Sequence, residues 1–245
     1  MALVALALGL AASPAAAAPI GTENVRPVPV TGSALQAVLD AALGPGILSA
    51  AADQHPAGYW RSVGGALVLN AALLGESAGY NEPFNSFGIW ADANGDTDGD
   101  DRTMVHIFTG GATAPATATL DWTTSPGALT ISGGAGVNSG VYAGIDPFAF
   151  GFYLSSHNGT SWSMDPLNHS GGPQVLAFRE PGDGHGWLLA FEDLPLGLGG
   201  DGEYDAMVVR VESIEPVPEP ATLLLLGSGL MGLSAAGWRK RGSKR

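Results

Sequence analysis

Short apolar or alternating runs, separated by Gly, Pro, Asn and Asp, occupy most of the chain beyond Asn85. Alternation with a period of two is typical of β-strands, and the intervening residues are those that form turns. Long helical patterns do not alternate with these runs, which disfavours a parallel α/β sheet. The pattern predicts a mainly β protein, an antiparallel and jelly-roll-like β-sandwich, with strands near residues 87–90, 103–109, 117–122, 128–132, 148–154, 175–179, 187–191 and 207–212.

One segment ahead of these runs has helical spacing instead. Within residues 33–43, Leu35, Val38, Leu39 and Ala42 recur at intervals of three and four, which places them on one face of a helix. Ser33 is a suitable N-cap, because its hydroxyl can accept a bond from a free backbone N–H of the first turn. The sequence therefore predicts a short N-terminal helix.

Both ends of the chain carry uncharged apolar runs. Residues 1–18 end in small side chains with the A-x-A pattern of a secretory signal peptide, which predicts cleavage after Ala17. Residues 221–238 are uncharged and are followed by five cations in residues 239–245. Eighteen helical residues reach about 27 Å, enough for a bilayer core, and the cations behind them favour a cytoplasmic tail. The ends thus predict a signal peptide and a C-terminal transmembrane helix.

A proline-rich motif directly precedes the second apolar run. The motif (Pro218, Glu219 and Pro220), the apolar run and the basic cluster (Arg239, Lys240 and Arg241) follow one another in that order. Together they resemble the PEP-CTERM sorting signal of Gram-negative bacteria. The resemblance implies that an exosortase, a membrane-embedded protease, recognises this signal and removes it near Pro-Glu-Pro. It implies a transient stage in the inner membrane and then a cell-surface or extracellular product, usually in bacteria that make exopolysaccharide and biofilm matrix.

The body between the two ends resembles a bacterial domain of unknown function that is common in PEP-CTERM proteins. Its last blocks read Trp-Leu-Leu-Ala-Phe-Glu-Asp-Leu over 187–194 and Asp-Gly-Glu-Tyr-Asp-Ala-Met-Val-Val over 201–209. The domain has W-x-x-A-x-E-D-L and then D-x-D-Y-N-D-x-V-V, so Ala206 replaces an aspartate and weakens any metal role implied by the resemblance. The expected organisation is a signal peptide (1–17), an N-terminal arm with a helix (18–59), a β-sandwich domain (60–213) and a sorting signal (214–245).

Charge divides the chain in the same way. The whole chain carries a formal charge of −13, but residues 18–217 contain 22 acids and five arginines, a net of 5 − 22 = −17, and no lysine. A body this negative repels phosphate backbones, so nucleic acid is not an expected partner. The chain has no cysteine, which excludes disulfides, thiolate metal sites and cysteine nucleophiles.

An acidic loop follows the first predicted strand. Reading N-x-D-x-D-G from Asn94 gives the first half of an EF-hand-like calcium loop, in which alternate side chains converge on one ion. The twelfth position is Val105 rather than glutamate, which excludes a closed EF-hand and leaves an open calcium loop or a solvated acidic turn. The candidate calcium ligands are Asp92, Asn94, Asp96, Asp98, Asp100 and Asp101.

A second acidic cluster lies between the last two predicted strands. It consists of Glu192, Asp193, Asp201, Glu203 and Asp205. If residues 201–205 are extended, their three acids share one side, and a hairpin brings them toward the other two. Calcium across this hairpin is one hypothesis, a network of carboxylates bonded to loop N–H groups is the second, and a pair of glycosidase carboxylates is the third.

The sequence contains no G-x-S-x-G, P-loop or H-E-x-x-H pattern, and its five histidines are scattered. We therefore expect a non-enzymatic, exported surface or matrix protein, with an exosortase as partner and with calcium and exopolysaccharide as candidate ligands. One alternative is a secreted carbohydrate-active hydrolase that uses the second acidic cluster. Another is a sugar-binding module that uses exposed aromatics such as Trp60, Tyr80, Trp90, Tyr153 and Trp162.

Overall fold

Antiparallel strands are the main secondary structure of the described chain in the computed structural model. The structure describes residues 24, 26–65, 67–76, 85–92, 101–110, 112–125, 127–182, 185–194 and 198–217. Residues Pro19–Pro218 form one compact unit. Its elements are α1 (Ala34–Leu43), β1 (Gln54–His55), β2 (Trp60–Ser62), β3 (Val68–Glu76), β4 (Ser86–Asp92), β5 (Arg102–Phe108), β6 (Thr117–Asp121), β7 (Ala128–Gly133), β8 (Gly140–Ala143), β9 (Gly151–Ser156), β10 (Gly159–Trp162), β11 (Val175–Arg179), β12 (Trp187–Phe191), β13 (Met207–Glu212) and β14 (Ile214–Pro216), with 3-10 turns at Val63–Gly65, Asp165–Leu167 and His169–Gly171.

Two large sheets share one hydrophobic core. The first has eight strands in the order β1-β11-β12-β13-β3-β6-β7-β8, and the second has four in the order β10-β9-β4-β5. Inward side chains of both sheets belong to the same buried cluster, for example Leu73 and Val209 from the first and Phe87 and Phe152 from the second. The rings of Phe87 and Phe152 stack with centroids 5.4 Å apart. The protein is thus mainly β and antiparallel with one short helix, as predicted, although the strands divide unequally between the sheets.

The N-terminal arm covers part of the outer face of the eight-stranded sheet. Leu35 and Leu39 of α1 are buried against residues of β11, β12 and β13 that point away from the shared core, such as Phe178 and Leu188. Since successive side chains of a strand point to opposite faces, these strands are apolar on both sides. This second cluster, which we call the arm cluster, also includes Tyr204 and Val208.

All eight predicted strands are present, with ends that shift by up to three residues, and the helix predicted over 33–43 begins at Ala34. The apolar pattern does not predict the nine-residue β3, which lies in the middle of the larger sheet between β13 and β6. Alanine and leucine dominate β3, and both residues favour helices. Only its neighbours, which bury Leu69, Ala71 and Leu73, make the segment a strand.

The folded body extends slightly beyond residue 213, where the β-sandwich domain was predicted to end. Strand β14 pairs with β2 in a separate two-stranded sheet, with Ile214 opposite Ser62, Glu215 opposite Arg61 and Pro216 opposite Trp60. Ile214 is fully buried in the shared core. The predicted transmembrane helix lies outside the described residues, and within them no helix is long and apolar enough to cross a membrane.

Candidate functional site

The last described residues of the chain are bonded into the body. The backbone N–H of Val217 donates to the carbonyl oxygen of Tyr59 at 2.8 Å, and the backbone N–H of Ile214 donates to the carbonyl oxygen of His185 at 3.3 Å. Across the strand pair, the guanidinium of Arg61 lies 2.6 Å from the carboxylate of Glu215, and both side chains are partly exposed. This C-terminal junction therefore holds the chain up to residue 217.

Aromatic side chains pack beneath the junction, on the face of the four-stranded sheet that points away from the shared core. Tyr59, Trp90, Tyr153, Trp162 and Met164 form this aromatic cluster, and Val217 packs against it. Two glycines make the space: a Cβ at Gly88 would overlap the Tyr153 ring, and one at Gly151 would overlap the Trp90 ring. The cluster thus depends on missing side chains in β4 and β9.

Polar groups border the aromatic cluster on strand β5. The guanidinium of Arg102 lies 4.3 Å from the centre of the Trp162 ring, within range of a cation–π interaction. Nδ1 of His106 lies 2.9 Å from the Tyr153 hydroxyl. Burial lowers the pKa of His106 and raises the pKa of Tyr153. Both groups are therefore favoured in their neutral forms.

The aromatics proposed above as a sugar platform belong to the interior. Trp60, Trp90 and Tyr153 are fully buried, and Trp162 is 8% exposed. Trp60 packs in the shared core, with its ring centroid 5.0 Å from that of Trp187. Tyr80 lies outside the described residues. These four side chains stabilise the fold, so they are not available to stack on a sugar at the surface.

The second acidic cluster is organised by one buried carboxylate. Glu192 follows β12, and its Oε2 accepts a bond from the N–H of Gly202 at 3.0 Å, while Oε1 accepts one from Leu194 at 3.4 Å. The backbone of Glu192 is bonded as well. Its carbonyl oxygen accepts a bond from the Ser161 hydroxyl at 2.6 Å, and its N–H donates to the backbone carbonyl oxygen of Gln174 at 2.9 Å. Glu192 is thus part of a network of carboxylate and loop N–H groups, the second of the three hypotheses for this cluster.

The segment 201–205 is not an extended strand, so the condition under which its three acids would share one side is not met. Gly202 has φ 74° and Tyr204 has φ 52°, both in the left-handed region. Asp201 accepts the N–H of Glu203 at 3.0 Å within the turn. Tyr204 is buried in the arm cluster, and its hydroxyl donates to Pro173 at 3.0 Å. Packing of Tyr204 therefore decides the local conformation.

Electrostatics within this cluster favour protonated acids. Burial and then the charge of Asp201 raise the pKa of Glu192 from 4.5 to about 7, against the lowering effect of its two N–H bonds. Burial also raises the pKa of Asp193. Among the described residues, no three His, Cys, Asp or Glu side chains are arranged to hold a metal ion. Calcium at Glu192, Asp193, Asp201, Glu203 and Asp205 stays a prediction.

The acidic loop after β4 connects two paired strands. Asp92 is the last residue of β4 and lies opposite Arg102, the first residue of β5. Asp101 directly precedes β5. Asn94, Asp96, Asp98 and Asp100 lie outside the described residues. The two ends of the candidate calcium loop are therefore held in one hairpin.

A buried ion pair that the sequence analysis did not identify joins the N-terminal arm to the body. Arg26 donates two bonds to Asp165, Nη1 to Oδ2 at 2.9 Å and Nη2 to Oδ1 at 3.0 Å, although 139 residues separate them. Asn24 adds bonds to Asp165 from its backbone N–H at 2.8 Å and its amide at 2.9 Å. Both side chains of the pair are almost fully buried. The only sequence signal was the rarity of cations, since the body has just five arginines.

The described surface also carries a shallow groove on the outer face of the eight-stranded sheet, around β3, β6 and β13. The groove has a volume of about 280 Å³, and Asn70, Thr117, Thr119, Arg210 and Glu212 contribute its polar lining. Arg210 is held there by Glu180 at 2.6 and 2.8 Å and by Glu212 at 2.8 Å. Its charge is therefore balanced by acids of the same sheet.

A mainly β body joined to a C-terminal sorting signal defines an exported protein. The chain carries the PEP-CTERM protein-sorting motif, whose family model matches residues 216–241. The motif implies export, a membrane-anchored sorting signal and an exosortase as the processing partner. Pro218, Glu219, Pro220, Arg239, Lys240 and Arg241 fall within the match but lie outside the described residues. No curated protein and no solved structure matches the chain.

Proposed function

We propose that the chain is a non-enzymatic protein of the cell surface or extracellular matrix, delivered by an exosortase in a Gram-negative bacterium that makes exopolysaccharide. The observation that carries the proposal is the sorting motif at residues 216–241, which begins at the C-terminal end of a folded acidic body. A signal peptide over residues 1–17 and a membrane-spanning helix before processing complete the route.

The structural use of the buried acids supports a non-enzymatic role. Asp165 is bonded to Arg26, Glu180 to Arg210, and Glu192 to the N–H groups of its own loop. Buried carboxylates need such partners, because an unpaired charge in the interior is costly. Each of these carboxylates therefore has a role in the fold.

The mature C-terminus provides the direct test. Mass spectrometry of the protein from cells with and without the exosortase should find residues 221–238 only when the enzyme is absent. Retention of that segment in cells that contain the enzyme would make the chain a tail-anchored membrane protein. Deletion of residues 218–245 is the matched control, because the shortened chain should be exported without dependence on the enzyme.

The polysaccharide part of the proposal must account for the charge of −17 on residues 18–217. An anionic polymer would be repelled by this body unless a divalent cation lay between them, so we favour a neutral polymer or a calcium-bridged acidic one. The polar groove around Thr119 and Arg210 is the candidate contact surface, since Trp60, Trp90, Tyr153 and Trp162 are buried. Sedimentation with neutral and acidic polysaccharides, with calcium or with chelator, distinguishes these cases, and Thr119→Trp should block the groove.

Calcium in the loop after β4 is the second part of the proposal. Five aspartates within residues 92–101 repel one another, and a divalent cation would relieve that repulsion. The pairing of β4 with β5 supports the proposal, because it holds both ends of the loop. Thermal melts of the intact protein should show stabilisation by millimolar calcium that Asp96→Ala with Asp98→Ala abolishes. Equal melting temperatures with calcium and with chelator would contradict it.

One alternative is a hydrolase that uses the second acidic cluster. The observation in its favour is Glu192, whose pKa of about 7 would suit a general acid, with Asp193 beside it. Turnover of a polysaccharide that Glu192→Gln abolishes, in a variant that melts like the wild type, would favour the hydrolase and contradict the non-enzymatic proposal.

A further inference from the structure

The sorting motif and the folded body overlap. The family match begins at Pro216, while β14 includes Pro216 and the body still binds Val217. Residues 216 and 217 therefore belong to both the exosortase signal and the fold.

Both residues are held by several groups of the body. The N–H of Val217 donates a hydrogen bond to the carbonyl oxygen of Tyr59, and the Val217 side chain packs against the aromatic cluster. Pro216 lies opposite Trp60, whose own N–H and carbonyl oxygen are bonded to Phe150 at 2.7 and 3.0 Å. Strand β2 is therefore bonded to Phe150 on the edge opposite β14. If β2 and β14 separate, β14 is the strand that moves.

A protease binds its substrate as an extended chain, through backbone groups and alternate side chains. The N–H of Val217 cannot donate to Tyr59 and to a protease at the same time. We propose that β14 is a releasable latch: the exosortase takes up residues 216 and 217 only after β14 leaves β2, and the strand pairs again when the sorting signal has been removed. The proposal rests on the processing described under Proposed function.

The size of the latch fits local opening. Strand β14 has three residues, it pairs only with β2 within the described chain, and its one ion pair is partly exposed. Local opening costs less free energy than global unfolding when few buried contacts are lost. The buried side chain of Ile214 is the main anchor that opening must remove.

A cross-link can close the latch without changing the motif. Arg61 and Glu215 face each other in a hydrogen-bonded antiparallel pair, for which the Cα atoms lie about 5.5 Å apart, within the range for a disulfide. The chain has no other cysteine, so Arg61→Cys with Glu215→Cys has a single pairing. Thr130→Cys with Val141→Cys, an opposed pair in β7 and β8, is the matched control in a different sheet from the junction.

The full-length variants are compared by pulse-chase in cells that contain the exosortase, with and without dithiothreitol. The Arg61→Cys, Glu215→Cys precursor should be processed at least about tenfold more slowly while oxidised, because closed strands cannot open, and it should recover on reduction. The control pair should be processed at the wild-type rate in both states. Processing of the oxidised latch variant at the wild-type rate, with its disulfide shown intact by mass, would overturn the proposal.

A variant that weakens the attachment of β14 tests the latch by the opposite change in processing rate. Ile214→Ala removes a buried anchor outside the matched motif and should speed processing about threefold or more, because β14 is open more often. An unchanged rate in this variant also contradicts the latch, and the result does not depend on whether the cross-linked variant folds. If the wild type is not processed at all in these cells, the exosortase assignment fails. If the wild type is processed and both variants behave like it, only the latch fails.

Discussion

The two ends of the folded body are attached in different ways. The N-terminal arm rests on the aliphatic arm cluster and is joined to the body by the buried pair of Arg26 and Asp165. The C-terminal strand β14 has three residues, with one fully buried side chain (Ile214) and a partly exposed ion pair. Val217, directly after the strand, packs on the aromatic cluster. The N-terminal attachment thus includes a buried ion pair, whereas the ion pair of the C-terminal attachment, which the latch proposal treats as releasable, is partly exposed.

Removal of the buried pair should have the largest effect. Asp165→Ala leaves the Arg26 guanidinium buried without its carboxylate, which should lower the free energy of unfolding by about 3–5 kcal/mol. Denaturant unfolding measures the change. A loss below about 1 kcal/mol would mean that the arm is attached no more firmly than β14.

Overpacking of the aromatic cluster should come next. Gly151→Ala places a methyl group against Trp90 and should cost about 1–3 kcal/mol. Gly134→Ala is the control, because nothing lies within 4 Å of the added methyl group there. Thermal melts of the two variants should therefore differ, and equal melting temperatures would show that the cluster adapts without cost.

The pH dependence of stability tests the loop that joins β12 and β13 beside the arm. The pKa of Glu192 is about 7 in the folded state and 4.5 when unperturbed, so between these values the folded state binds the extra proton. Stability should fall as pH rises from about 4.5 to 7, by roughly 1 kcal/mol once solvent at the loop surface is allowed for. Unfolding curves at pH 5 and 7.5 should show this loss, and Glu192→Gln should reduce it. A slope that Glu192→Gln leaves unchanged would assign the pH dependence to other groups, such as Asp193.

The exposed pair at the C-terminal junction should matter least. Arg61→Ala removes the ion pair with Glu215, in which both partners reach solvent, and should cost about 0.2–1 kcal/mol. Because the contribution is screened by ions, the difference from wild type should shrink at high salt. A cost as large as that of Asp165→Ala would contradict a weakly held latch.

Local patterns were sufficient for much of the fold. The helix follows from its apolar spacing of three and four, because it is buried on one face. The strands at 175–179, 187–191 and 207–212 follow from short continuous apolar runs, as expected for strands buried on both faces. Strand β3 did not follow, since its alanines and leucines are compatible with a helix, and the three-residue strands β2 and β14 are too short to show a period.

The candidate sites also differ in whether a local pattern is enough to predict them. The sorting signal is a linear motif, so residues 218–220 and 239–241 could be recognised without a fold. The role of Glu192 could not, because the acidic pattern is the same whether its carboxylate binds calcium or accepts loop N–H groups. In the fold, Gly202 and Tyr204 both have positive φ, the N–H of Gly202 donates to the Glu192 carboxylate, and Tyr204 packs against the arm. Calcium binding at this cluster stays a prediction.

The sequence by itself determined the class of fold, most of the strands and the sorting signal. Hydrophobic period, charge and a linear motif are properties of neighbouring residues, so they can be read without the fold. Only the tertiary structure decided which distant segments meet. It joined Arg26 to Asp165, buried the aromatic rings beneath Val217 and paired β14 with β2. Such pairings depend on the shape of the packed core, in which residues far apart in the chain compete for the same space.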